Sequence, residues 1–171
     1  MKIKSHWGTH LAPLVACLHA TRGPVLELGM GLFSTPVLHT LCALHRRDLV
    51  SYDSDPAWLT MYESYQSPRH TLRHVSSYDD AVIEQPWDVV LVDHLADRRK
   101  IDAMRLASWA RFVVVHDTNG RDERHYHFLA DPPINSAFRY RYDYVAVRPT
   151  TAVFSNIEPV AWLDSVLDGV V

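Results

Sequence analysis

A chain of 171 residues has the length of one domain and can bury a core without covalent staples. Its 47% apolar and 22% charged residues are the proportions of a soluble globular protein. A formal charge of −3 excludes a broad electrostatic grip on nucleic acid or an anionic membrane, and no apolar run approaches the roughly 18 residues of a membrane span. The N-terminus lacks the apolar region and cleavage site of a secretory signal. Cys17 and Cys42 lie in apolar, helix-like surroundings outside any ligand spacing, so they are expected as reduced core thiols in a cytoplasmic protein. The short basic clusters (Arg46-Arg47, Arg69 with Arg73, Arg98-Arg99-Lys100) read as solvated helix ends.

In chain order, residues 10–21 present Leu11, Leu14, Val15 and Leu18 on one face of a helix, expected to cover the sheet or the mouth of a site. Val25–Leu28 is a buried strand ended by Gly29-Met30-Gly31. A helix follows, with Thr35 expected as its N-cap, Pro36 at its first position, and Leu38, Leu41, Cys42 and His45 on one face. Residues 49–52 form a second strand. Asp55-Pro56 opens the next helix, which carries Trp58, Leu59, Tyr62 and Tyr65. Residues 72–75 can form a third strand, and Trp87–Val92 is a clear fourth ending at Asp93. Asp97 is expected to cap a helix bearing Ile101, Met104 and Ala107, and residues 112–115 form a fifth strand ended by His116-Asp117.

Continuous apolar strands separated by helices mean a parallel sheet covered on both faces. The last third changes period. Residues 138–147 alternate, Arg148-Pro149-Thr150 makes a turn, and Thr151–Ser155 is β-branched and aromatic, which together predict an antiparallel hairpin with Tyr140, Tyr142 and Tyr144 on one face. The expected fold is α/β, a doubly wound Rossmann-like sheet of seven strands, mostly parallel, in one domain spanning 1–171. Its parts are an N-terminal helical cover (1–22), a ligand-binding core (23–117) and the terminal hairpin (138–157).

In such a sheet, ligands bind beyond the carboxyl ends of the strands, near the point where strand order reverses. After the first strand, Gly29 and Gly31 permit a tight turn and close approach of a ligand to backbone. After the second, Asp53 stands where a carboxylate receives ribose hydroxyls. Together they favour a nucleoside ligand. Ser34 occupies the third-glycine position of the dinucleotide fingerprint, and Glu27 in the first strand suits a cationic, amino-bearing ligand better than a pyrophosphate, because like charges repel. His94 and His116, beside the strand-end acids Asp93 and Asp117, are candidate general bases. His125 and His127, two residues apart, do not share a helix face as metal ligands.

Val25-Leu26-Glu27-Leu28-Gly29-Met30-Gly31 resembles the first motif of class I S-adenosylmethionine-dependent methyltransferases. Asp53-Ser54-Asp55-Pro56 resembles their ribose-binding motif, Trp87–Val92 with Asp93 their fourth-strand motif, and the hairpin their antiparallel sixth and seventh strands. The resemblance implies S-adenosylmethionine as cofactor, with contacts from Glu27, Gly29, Met30, Gly31, Ser34, Thr35 and Asp93, ribose contacts from Asp53 and Ser54, and adenine contacts near Ser77, Tyr78 and Asp79. The segments around Asp93 and Asp117 are also similar to catechol O-methyltransferase-like enzymes, which implies a magnesium ion held by Asp93, Asp117 and Asn119. The sequence departs from that pattern in placing Thr118 directly after Asp117, with Asn119 one position late, and Ala96 at the family's catalytic lysine.

The expected activity is methyl transfer to an oxygen or nitrogen nucleophile of a small molecule, with no nucleic-acid or membrane partner. With no large insertion to act as a lid, a homodimer partner or the N-terminal helix is left to complete the pocket. Two rivals stand beside this reading: an NAD-dependent oxidoreductase, and a cofactor-binding domain without catalysis. Acceptor specificity is expected in the irregular stretch 119–136, with its Asp131-Pro132-Pro133.

Overall fold

A computed structural model of the protein describes residues 5–118 and 132–167. Its strands are β1 (Val25–Leu28), β2 (Leu49–Asp53), β3 (His70–His74), β4 (Trp87–Val92), β5 (Ala110–His116), β6 (Tyr140–Tyr144) and β7 (Thr151–Ser155). They form one sheet in the order β3-β2-β1-β4-β5-β7-β6. The first five are parallel, and β7 runs antiparallel to both β5 and β6. The reversal of order between β1 and β4 places a crevice at the carboxyl ends of the central strands, as doubly wound sheets do.

Around the sheet lie α1 (Leu11–His19), α2 (Ser34–Leu44), α3 (Pro56–Tyr62), α4 (Arg99–Arg105), α5 (Pro132–Ala137) and α6 (Trp162–Leu167). The period of two along each strand divides the core into two layers. Val25, Val89, Leu91, Phe112 and Val114 pack with α1, α2 and α6, whereas Leu26, Val90, Val92, Val113 and Val115 pack with α4 and α5. This parity sets which way each strand-end residue points. Tyr140, Tyr142 and Tyr144 share the α1–α2–α6 face, as their alternation implies. Cys17 and Cys42 are buried free thiols. Among the described residues, no helix is long and apolar enough to cross a membrane.

Several local expectations are corrected. α2 begins at Ser34 after Phe33, with no side-chain cap, because the Thr35 hydroxyl is drawn inward to Glu27. Asp97 does not cap α4: the preceding position is Arg98, Asp97 is exposed, and Ala107 lies beyond the helix. By contrast, Asp55 caps α3 through Ala57 N–H, with Pro56 at its start, as read from sequence. β3 begins two residues earlier than expected, and residues 132–137 are helical rather than irregular. Two of the basic residues are not solvated. Arg47 is buried, donating to the carbonyls of Leu18 and Gly23 and to Thr21, and Arg99 is 6% exposed at the strand ends. His125 and His127 lie outside the described residues.

Candidate functional site

The bend after β1 lies hard against the end of β4. Gly29 has φ +94°, and a Cβ there would sit 2.6 Å from the carbonyl oxygen of Asp93, so only glycine fits without displacing backbone. Asp53 turns toward this bend: Oδ2 accepts the Met30 N–H at 2.7 Å and Oδ1 the Asp55 N–H at 2.8 Å. Burial raises its carboxyl above the ordinary value, against the pull of those N–H donors. The Gly31 N–H donates to Thr35 Oγ1 at 2.9 Å, and the Tyr62 hydroxyl donates to the Gly31 carbonyl at 2.9 Å.

Glu27 differs from its expected role. Its carboxylate is fully buried and accepts from Thr35 Oγ1 at 2.9 Å and Ser51 Oγ at 2.6 Å. It therefore supports the glycine turn from behind, through Thr35, and presents no surface to the cleft. Burial pushes its pKa up to about 7, against hydrogen bonds from Ser51, Ser34 and Thr35. The chain of contacts continues outward from Ser51 to His70 at 2.9 Å and from His70 to His39 at 3.0 Å.

Met30, Gly31 and Ser34 line a cavity of about 170 Å³ with Trp7, His10, Leu32, Phe33, Trp58 and Asp93. Beyond β3, Ser77 Oγ accepts the Asp79 N–H at 3.2 Å and starts a single 3-10 turn. Tyr78 is buried there, with its ring 4.1 Å from that of His94. The structure thus brings Tyr78, next to Ser77 in the chain, against the His94 ring.

The two candidate bases diverge, as strand parity requires. His94 follows Val92 onto the α4 face, where Nε2 lies 2.9 Å from Asp102 Oδ2. Asp102 is fully buried between His94, Arg98 and Arg105. Burial acts to raise its carboxyl, but hydrogen bonds from His94, Arg105 and Arg98 outweigh it and hold the pKa below the ordinary value. His116 follows Val114 onto the α1 face. Its Nδ1 is 3.1 Å from Asp93 Oδ1 and its Nε2 is 2.9 Å from Thr9 Oγ1.

Asp93 and Asp117 do converge, but on a guanidinium. Arg99 reaches Asp93 Oδ1 at 2.9 Å, Asp117 Oδ2 at 2.7 Å, the His116 carbonyl at 3.0 Å and the His94 carbonyl at 2.9 Å. Asp117 sits at φ +58° to meet it. The magnesium site implied by the catechol O-methyltransferase-like pattern does not fit. Magnesium wants near-octahedral oxygen ligands, and a fixed organic cation already lies between the two carboxylates. Asn119, its third ligand, lies outside the described residues.

Arg99, Asp93, His116 and Asp117 line a second cavity of about 270 Å³ with His6 and Trp7, so Trp7 and Asp93 form the partition between the two spaces. The N-terminal segment contributes what the sequence reading missed: Trp7, Thr9 and above all His10. His10 is 1% exposed, its Nδ1 is 3.7 Å from Asp93 Oδ2, and its ring stands 4.6 Å from that of His116. Burial lowers its pKa to about 4, so the ring is neutral near pH 7. The usable signal was its place at the start of the helix expected over 10–21, which the structure begins one residue later.

No protein-family description and no curated protein matches the sequence. Solved structures do match in fold. An S-adenosylhomocysteine-bound methyltransferase of Podospora anserina superposes with TM-score 0.64 at 12% identity, covering 90% of this chain and 79% of that one. The methyltransferase domain of a bacterial Hen1 gives 0.60 at 14%, covering 88% and 98%. A spermidine synthase bound to the transition-state analogue AdoDATO gives 0.62 at 13%, covering 91% of this chain but 60% of that one. At such identities the likeness speaks for architecture: this chain has the Rossmann-like fold of the class I S-adenosylmethionine-dependent methyltransferases.

Proposed function

We propose that the protein is an S-adenosylmethionine-dependent methyltransferase acting on an oxygen or nitrogen nucleophile of a small molecule. The observation that carries this is the pair of cavities meeting at Asp93, one beneath the glycine turn and one polar and facing the end of β5. The first, lined by Met30, Gly31 and Ser34, would take the methyl-bearing end of the cofactor, with the ribose beyond it at Asp53. The bend at Gly29 has no room for a side chain, and each Asp53 oxygen keeps an acceptor lone pair for a ribose hydroxyl after taking its backbone N–H. The family resemblance would put the adenine end near Ser54, Ser77 and Tyr78. When bound, the cofactor supplies a methyl group on an activated sulfonium leaving group.

The chain's own contribution is orientation and exclusion of water. Trp7, Phe33 and Trp58 wall the donor cavity, while Asp93, Arg99 and Asp117 provide fixed charges that align an acceptor in the other. Of the two candidate bases, His116 stands at this junction, whereas His94 is committed to Asp102 on the opposite face. Ser34 in place of a third glycine, together with the β5-β7-β6 order, argues against an NAD-dependent oxidoreductase.

Calorimetric titration tests the reading. S-adenosylhomocysteine should bind and NAD should not, and Asp53→Asn should weaken binding by about tenfold or more, since buried polar groups lose their partner. NAD binding in its place, or affinity indifferent to Asp53→Asn, would overturn the assignment. Tight cofactor binding without methyl transfer to any of a panel of hydroxyl and amine acceptors would point to the non-catalytic rival.

A further inference from the structure

His10 is an anomaly that the methyl-transfer reading leaves unexplained. Among the described residues, neither of its buried ring nitrogens has a hydrogen-bond partner. A neutral imidazole carries one donor and one acceptor, and burying both unpaired costs free energy at each. Asp93 Oδ2 is 3.7 Å from Nδ1, too far for a hydrogen bond. That spacing does suit two ligand atoms each about 2.0–2.2 Å from one shared ion.

His116 has the complementary problem. Thr9 Oγ1 owns a single proton, and it lies 3.1 Å from the His6 carbonyl and 3.0 Å from the Pro149 carbonyl, both of which can only accept. Thr9 therefore accepts from His116 Nε2–H. In a singly protonated ring this leaves the Nδ1 lone pair facing Asp93 Oδ1 at 3.1 Å, two electron pairs in opposition. Either a second proton or a cation must lie on that side. One ligand atom from each of His10, Asp93 and His116 lies within 4.8 Å of the others.

We propose that His10, Asp93 and His116 bind a divalent transition-metal ion of the zinc type. One ion would satisfy one of the two stranded His10 nitrogens and the His116 lone pair together. Two imidazoles and one carboxylate are the donor set for zinc, cobalt or manganese and not for magnesium. Arg99 neutralises one of the two nearby carboxylates, Asp93 and Asp117, which leaves one negative charge for the ion. Thr9 acts as a positioning residue, since a partner on the far ring nitrogen fixes tautomer and orientation in metal-bound histidines. This is a different donor set from the rejected magnesium site, and it stands whether or not methyl transfer is confirmed. Metal uptake would turn His116 from a candidate base into a ligand.

The test uses the full chain without a histidine tag, stripped with chelator and titrated with Co²⁺. The expected result is one Co²⁺ per chain, with the intense visible bands of a four- or five-coordinate ion, displaced by Zn²⁺ and not by excess Mg²⁺. His10→Ala and His116→Ala should each weaken Co²⁺ binding by more than about 100-fold. Thr9→Val should cost about 10–100-fold, as outer partners do. The exposed His19→Ala should change nothing. Where alanine at His10 prevents folding, His10→Asn keeps a polar group of similar size and replaces it. Only the weak bands of a six-coordinate aqua ion, or strong binding retained without the His10 imidazole, would overturn the site.

Discussion

Glu27 shows how a residue can be legible in type and misread in place. An acid inside the first strand pointed to a cationic ligand, yet parity along β1 sends Glu27 to the α2 side with Val25, into the hydroxyls of Thr35 and Ser51. Nothing in a single sequence separates a carboxylate facing a cleft from one facing a helix two layers down. Burial raises its pKa from 4.5 to about 7, so the native state holds a proton that the unfolded chain has released. Unfolding stability from this group therefore falls as pH rises from about 4.5 to about 7 and then levels off. Glu27→Gln should remove that slope and leave the variant more stable than the parent above pH 7, by up to about 3 kcal/mol. Urea unfolding of both proteins at pH 5 and pH 8 checks it. His10 and His70 titrate in both and cancel in the difference, so a stability gap that does not change with pH would refute the argument.

At the scale of elements, the sheet was readable because β1, β2, β4 and β5 are largely apolar runs ended by glycine or an acid, with β3 the weakest signal, and the hairpin because its period changes to two. The start of α4 was not. Asp97 looks like a cap, but the helix is anchored by Arg99, whose guanidinium binds the ends of β4 and β5 together. Arginine in a basic run reads as solvated, and only the convergence of Asp93 and Asp117, 24 residues apart in sequence (117 − 93), explains its burial. Arg99→Met should leave two facing carboxylates without a countercharge. The expected loss is about 2–3 kcal/mol, below the 3–5 of a fully enclosed pair because both acids keep some solvent contact. Arg99→Lys should recover only part of it, since one ammonium cannot span both acids. Denaturant midpoints decide, and equal stability in Arg99→Met would show that the bridge is inert.

For the whole molecule, the two core layers meet at β1, β4 and β5, whose residues are buried almost throughout, while β3 and β6 at the edges are only partly covered. Native-state hydrogen exchange should follow this gradient, with the slowest amides in β1 and β4 and faster ones in β3 and β6. Uniform protection across the sheet would contradict it. The Thr9 hydroxyl touches the Pro149 carbonyl across 140 residues of intervening chain. A ribosome-bound chain can assemble the glycine bend and its neighbouring strands early, but this contact of the N-terminal segment cannot form until the turn before β7 has been synthesised. The N-terminal segment is therefore pinned in place by a residue the ribosome adds about 140 positions after it.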